Sequence, residues 1–314
     1  MLCKMLSWVP RASLLAVAAV AAVAVGAAPS VPAAPRTAPP LQWLTPAVDA
    51  PRVSYHGFES RAAGTRVSYH LYTPAAYARD PERRFPVVYW LHGSGGGVQG
   101  IPQLARLVDE AIEAGRVPPF LVVFVNGLRL GMYVDWKDGR APLETMIVKE
   151  LVPHIDATHR TRATREGRLL DGFSMGGYGA ARFGFKYPEM FRAVSIMGAG
   201  PMQETLTRTP RASRKQVDEL LQEVYGGDQT TFRAVSPRRH AAENAAVIAR
   251  DSMVRMVIGS RDETFGNNAA FHEHLVGLGI PHDWIVIEDV GHDPMRLLQA
   301  MGDRHWAFYR KAFK

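Results

Sequence analysis

The 314-residue sequence predicts an α/β domain built on a doubly wound, mostly parallel sheet that is mixed at its leading edge. Three observations carry this expectation. Short, continuous apolar runs recur along the chain, as strands buried on both faces require. Helical periodicity fills the intervals, and that alternation puts helices on the two faces of a parallel sheet. A pair of segments alternating apolar and polar residues precedes them all, which marks an antiparallel hairpin.

Taken in order, Val53 to Glu59 and Thr65 to Tyr72 make the hairpin around the turn Arg61-Ala62-Ala63-Gly64. Buried strands follow at Pro86 to Leu91, Phe120 to Val125, Arg168 to Phe173, Phe191 to Met197, Met253 to Ile258 and Trp284 to Ile287. Helices are expected over Gln103 to Ala114, Leu143 to Ile155, Tyr178 to Lys186, Ala269 to Leu278, and from Met295 to the C-terminus. Residues 198–250 break the alternation. They hold no apolar strand, have helical signal only around Gln216 to Val224 and Ala241 to Ala249, and carry Arg208, Arg211, Arg214, Arg233, Arg238 and Arg239. An insertion that leaves the end of a central strand lies over the edge where such sheets bind ligands, so a lid or pocket wall is expected here. Arginines lining that pocket would favour anionic ligands.

This α/β domain is expected to span residues 51–314, behind two other segments. Lys4 and Arg11 precede an uncharged run, Leu14 to Ala28, and the first acidic residue is Asp49, the layout of a secretory signal peptide over residues 1–33. The run is shorter than the roughly 20 residues of a bilayer span, so no membrane span is expected after cleavage. Small-x-small cleavage sites occur at Gly26-Ala27-Ala28 and at Val31-Pro32-Ala33. Pro29, Pro32, Pro35, Pro39 and Pro40 then give a stiff linker over residues 34–50. A secreted or periplasmic protein follows. Its one cysteine, Cys3, lies in the leader, so the mature chain has no disulfide, thiolate metal site or cysteine nucleophile.

Lys and Arg number 37 against 30 acidic residues, and removing Lys4 and Arg11 leaves 35 against 30, a charge of about +5. That excess permits weak association with an anionic envelope surface. Nucleic acid is not an expected partner, because no recognised motif or dense basic stripe is present.

The chemistry centres on Leu169 to Ala180, an apolar strand that runs through Gly172-x-Ser174-x-Gly176 into a small-residue helix. A serine at such a turn sits on strained backbone at the positive end of a helix, and its neighbours must be small enough to let strand and helix approach. Its hydroxyl needs a base, and the base needs an orienting group. The expected order of serine, acid and histidine on successive post-strand loops is met by Ser174, Asp262 and His292. Glu263 stands beside Asp262 as an alternative acid. The first oxyanion donor is the Met175 N–H, and the second comes from the loop Leu91 to Gly97, at Ser94 or at Gly95. Asp289 and Asp293 flank His292 too closely to orient it and shape the loop instead. His92 reads as structural, while His154, His159 and His240 lack a post-strand position.

Rival chemistries find less. Gly95, Gly97 and Gly100 fit G-x-G-x-x-G, yet the next strand ends in Asn126-Gly127, where a dinucleotide site needs an acid. No Walker-type loop or HExxH motif occurs. His272 and His274 are two positions apart, point to different faces of a helix, and cannot form a helical zinc pair. No metal or cofactor is expected.

Jointly, His92-Gly93, Gly172-Phe173-Ser174-Met175-Gly176-Gly177, Gly259-x-x-Asp262 and Gly291-His292-Asp293 resemble the putative-esterase family of α/β-hydrolases, which includes feruloyl esterases, S-formylglutathione hydrolases and mycolyltransferases. Further matches are Met132 to Trp136, Glu144-Thr145, Glu150 to Asp156, Ser236-Pro237 and Glu243-Asn244-Ala245, so the resemblance runs from about Val53 to the C-terminus. It implies the α/β-hydrolase fold and Ser174, Asp262 and His292 as a triad acting on a small-molecule or carbohydrate-linked ester. After the His-Asp pair the chain departs from the family, with Pro294-Met295-Arg296 where an aromatic often stands. An exported, feruloyl-esterase-like serine esterase is the expectation. An envelope acyltransferase with the same triad and a non-catalytic envelope-binding protein are the alternatives.

Overall fold

The computed structural model describes residues 40–314. The expected signal peptide and the first part of the expected linker lie outside the described residues. Among the described residues, no helix is long and apolar enough to cross a membrane.

One sheet of eight strands organises this part of the chain: β1 (Val53–Ser60), β2 (Thr65–Tyr72), β3 (Val87–Leu91), β4 (Leu121–Val125), β5 (Arg168–Phe173), β6 (Ala193–Met197), β7 (Met253–Gly259) and β8 (Asp283–Ile287). Their order is β1-β2-β4-β3-β5-β6-β7-β8. β1 pairs with β2, and β2 with β4, antiparallel, while every later pairing is parallel. The apolar runs are continuous because both faces are covered. Along β4, Leu121, Val123 and Val125 enter one apolar core and Val122 and Phe124 the other. The first core holds α5 (Met175–Lys186), and the second holds α2 (Ile101–Glu113), α11 (Pro294–Met301) and α12 (Asp303–Ala312).

Boundaries and continuity differ from expectation in three places. The linker does not run to residue 50, because Leu41 and Trp43 pack against the core and the Ser68 N–H donates to the Trp43 carbonyl at 2.9 Å. The expected C-terminal helix is broken at Gly302, whose φ of +51° ends α11 and starts α12. The helix expected from Leu143 has a wide π turn, Met146–Leu151, between α3 (Leu143–Thr145) and α4 (Val152–Thr158).

Residues 198–250 hold α6 (Arg214–Tyr225), α7 (Gln229–Ala234) and α8 (Pro237–Glu243), and α9 (Ala245–Asp251) completes the series, two more helices than the sequence signals. α7 and α8 have only 6 and 7 residues, too few for clear periodicity, and rest on local caps: Asp228 accepts from the Thr230 N–H and Ser236 from the Arg239 N–H. Val217, Val224, Tyr225, Phe232 and Ala241 are buried in the first core, so this insertion is anchored as a wall.

Candidate active site

β5 and α5 meet at Ser174, which takes φ +58° and ψ −119°. That conformation costs a non-glycine residue about 1–3 kcal/mol and persists only where the surroundings enforce it. They do so by close approach: a β-carbon at Gly172 would overlap the Gly176 carbonyl, and one at Gly176 the Leu91 carbonyl. The Ser174 backbone is held on both sides, its N–H donating to the Met197 carbonyl at 3.0 Å and its carbonyl accepting from the Gly200 N–H at 3.1 Å.

Asp262 and His292 come from the loops after β7 and β8. His292 Nε2 lies 2.9 Å from Ser174 Oγ, and its Nδ1 lies 2.7 Å from Asp262 Oδ2. The Phe173 ring packs on the imidazole at 4.4 Å between centroids. The two loops are tied by the Arg261 N–H to the Val290 carbonyl at 3.0 Å and the Asp289 N–H to Ser260 Oγ at 2.9 Å. Asp293 caps α11, accepting from the N–H groups of Met295 and Arg296.

Asp262 is 4% exposed. Burial pushes its carboxyl up, but hydrogen bonds from His292 and from Thr264 outweigh this and hold it below the ordinary value of 3.8. Thr264 donates its N–H at 2.8 Å and its hydroxyl at 2.7 Å to Asp262 Oδ1. Sequence reasoning missed Thr264, although Asp-x-Thr before a helix is the pattern of an Asx turn. Glu263 is 52% exposed and pairs with Arg211 at 2.8 Å instead. Asp262, Glu263 and His292 bring ligand-type atoms within 4.8 Å of one another, but the Asp262–His292 hydrogen bond and the Arg211–Glu263 pair already engage all three.

The candidate oxyanion donors separate more sharply than the sequence allowed. Met175 opens α5, where an N–H has no intrahelical acceptor. The Gly95 N–H is spent on the Arg129 carbonyl at 2.8 Å. The Ser94 N–H has no hydrogen-bond partner among the described residues. His92 fixes this loop. Its Nε2 accepts from the Gly127 N–H at 3.1 Å and its Nδ1–H donates to the Gly93 carbonyl at 2.7 Å, which defines a neutral tautomer. Burial lowers its pKa, outweighing the raising effect of the Gly93 carbonyl. The Tyr133 hydroxyl adds a bond to the His92 carbonyl at 3.0 Å.

Ser174 and His292 floor a cleft of about 650 Å³. Ser94, Arg129, Leu130 and Met132 form one wall, and the insertion supplies the other through Gln203, Arg211, Gln216 and Leu220. The expected arginine lining is corrected: Arg211 alone of that set reaches the cleft, and Glu263 neutralises it. Arg238 donates to the Met202 and Ala270 carbonyls, Arg239 pairs with Glu243 and Arg214 faces Asp218. Glu219 and Glu223 also line the cleft. Of the remaining histidines, His154 and His159 meet the Tyr69 hydroxyl and His240 meets Glu243, all outside the cleft.

Sheet order, elbow and cleft define an α/β-hydrolase of the esterase class. The chain belongs to the family described as Putative esterase, which matches residues 60–310. An esterase of Mycobacterium tuberculosis is 34% identical over 256 residues, covering 74% of this chain and 54% of the relative, so this chain spans about half that protein's length. A xylanase/feruloyl esterase of Xylanibacter ruminicola is 28% identical over 167 residues, covering 49% of this chain and 22% of the relative. Among solved structures, a ferulic acid esterase superposes with a TM-score of 0.68 at 22% identity, covering 83% of this chain and 98% of its own. An S-formylglutathione hydrolase from Agrobacterium tumefaciens gives 0.65 at 18% identity, covering 83% and 95%. These two likenesses concern the fold.

Proposed function

We propose that this protein is an exported serine carboxylic-ester hydrolase with Ser174, His292 and Asp262 as its triad. The observation that carries the proposal is the unbroken hydrogen-bonded series Ser174 Oγ, His292 Nε2, His292 Nδ1, Asp262 Oδ2 at the floor of an open cleft. Ser174 Oγ attacks the ester carbonyl while His292 Nε2 takes the hydroxyl proton. Asp262 keeps the imidazole in the Nδ1–H tautomer and stabilises the imidazolium. The N–H groups of Met175 and Ser94 stabilise the oxyanion, an effect worth about 2.7–4 kcal/mol per donor in related chemistry. His292 then gives its proton to the leaving alcohol, and water attacking the acyl-enzyme restores the serine. The leader pattern of residues 1–33 supports export to a secreted or periplasmic location, and the basic excess supports weak contact with the envelope surface.

The relatives named feruloyl esterases support an aromatic acyl group, for which Phe173, Leu130, Met132 and Leu220 offer apolar surface in the cleft. Acyl transfer to a sugar hydroxyl is the second reading, favoured by the amide and hydroxyl groups of Gln203, Thr209, Gln216 and Asn267 at the same cleft. Release of free acid against acylation of added sugars separates the two.

The deciding experiment is intact-mass analysis after exposure to a fluorophosphonate, with peptide mapping. One adduct on Ser174, absent from a Ser174→Ala protein that melts near the parent temperature and has lost ester turnover, is expected. A folded parent that takes no adduct sinks the reading and favours a non-catalytic binding protein.

A further inference from the structure

His272 and His274 do part company on α10 (Phe265–Gly277). His274 Nε2 lies 3.2 Å from the Arg238 carbonyl and its ring stacks on Phe271. His272 meets a different imidazole, supplied by the turn that enters β8: His272 Nδ1 lies 2.7 Å from His282 Nε2. Trp284 of β8 stacks on the His272 ring at 4.8 Å and 9°, which fixes its plane.

The outer nitrogen of His282 is oriented as well. His282 Nδ1–H donates to the Ile280 carbonyl at 2.8 Å, leaving the lone pair on Nε2. His272 Nε2 lies 3.8 Å from Glu273 Oε1. His282 is held as metal-ligating histidines typically are, its outer N–H directed to a carbonyl and its inner nitrogen left for an ion, and at His272 the Glu273 carboxylate lies near the outer nitrogen without a hydrogen bond. Both rings are half-buried, so an ion can reach them from solvent.

We propose that His272 Nδ1 and His282 Nε2 form a two-imidazole site for a divalent first-row transition ion such as Zn²⁺, with water completing the coordination. Imidazole pairs suit Zn²⁺, Cu²⁺ and Ni²⁺, whereas Mg²⁺ and Ca²⁺ require oxygen ligands. In the metal-free pair His272 donates its Nδ1–H to His282. Binding transfers that proton through solvent to His272 Nε2, facing Glu273, so both inner lone pairs meet the ion and no net proton is released. The inner nitrogens must separate from 2.7 Å to about 3.3 Å, the span of two bonds of about 2.0–2.1 Å at a tetrahedral angle. Side-chain rotation supplies that change. The bound ion clips α10 to the entry of β8, stabilises the folded state by mass action, and is independent of the ester chemistry.

The test is calorimetric titration of the untagged, chelator-stripped full chain with ZnCl₂, followed by thermal melting. One bound Zn²⁺, a raised melting temperature and no such shift with Mg²⁺ are expected. His272→Gln and His282→Gln should each weaken binding at least tenfold, while His274→Gln leaves it unchanged; if one variant fails to fold, the other decides. Absence of binding overturns the proposal. So does uptake that both variants retain, which would place the ion elsewhere, at His154 and His159 with His56, whose ring lies 5.5 Å from that of His159, or at Asp262, Glu263 and His292.

Discussion

Asp262 and Glu263 are adjacent in sequence and opposite in circumstance. Asp262 is buried, with Thr264 on one carboxylate oxygen and His292 on the other, and Glu263 is turned to Arg211. Under the proposed mechanism, Asp262→Asn forces His292 toward the wrong tautomer and should lower kcat by about 10⁴. Glu263→Gln should stay within a few-fold, because an exposed ion pair is worth about 1 kcal/mol or less. Steady-state kinetics on one ester checks both, and the reverse ranking would make Glu263 the acid. The same carboxylate gives a pH dependence. Its folded value lies below the ordinary 3.8, so its contribution to stability is fully present above 3.8 and is lost as pH falls through the lower folded value. The melting-temperature gap between parent and Asp262→Asn should therefore be constant near neutrality and shrink below about pH 4. A gap that widens on acidification would contradict the assignment. Gly95 shows the limit of reading one residue at a time: its sequence position matches that of Ser94, and only the Arg129 carbonyl, a loop away, takes it out of use.

At the scale of elements, the elbow depends on three backbones meeting without side chains. Gly172 faces the Gly176 carbonyl, and Gly176 faces the carbonyl of Leu91 on β3. Backbone cannot rotate away as a side-chain tip can, so Gly176→Ala should cost at least about 3 kcal/mol, the upper range for overpacking. A urea midpoint near the parent's would show that β3 and α5 yield more easily than this packing implies. The loop from Asn126 to Tyr133 works at the same scale. It holds His92 through the Gly127 N–H, Gly95 through the Arg129 carbonyl and the His92 carbonyl through the Tyr133 hydroxyl, so the loop after β4 positions the candidate oxyanion loop that follows β3. Strand pairing makes this arrangement available, since β3 and β4 lie side by side with their loops at the same end.

At the scale of the whole molecule, a buried polar network joins β5, the strand that leads into Ser174, to the C-terminal helix α12. Arg255 of β7 pairs with Asp171 of β5 at 3.4 Å, donates to Ser195 Oγ of β6 at 2.9 Å and to the His305 carbonyl of α12 at 3.1 Å. The Tyr309 hydroxyl donates to the same carboxylate oxygen, Asp171 Oδ2, at 2.7 Å. Arg255 and Asp171 are both 0% exposed. Arg255→Met should cost about 3–5 kcal/mol, because Asp171 is left buried without its counter-charge. Adding Asp171→Asn should recover part of that loss, a coupling that a double-mutant cycle in denaturant reads directly. Strictly additive losses would mean that the two groups do not act as a pair.

The sequence by itself determined the strand and helix alternation, the hairpin, the elbow around Ser174 and the order of the loops that bear Asp262 and His292. These are local properties: buried strands need apolar runs, the elbow needs glycine at 172 and 176, and post-strand loops follow from where strands end. Tertiary structure alone decided what depends on distant partners. It separated Asp262 from Glu263 through Thr264 and Arg211, and Ser94 from Gly95 through Arg129. It drew Leu41 and Trp43 into the domain and left Arg211 as the single member of the expected arginine lining at the cleft. It also matched His272 with His282 rather than with His274. Hydrogen bonds and ion pairs join whichever groups the folded backbone brings within about 3 Å, and for these residues that backbone came from other strands and turns.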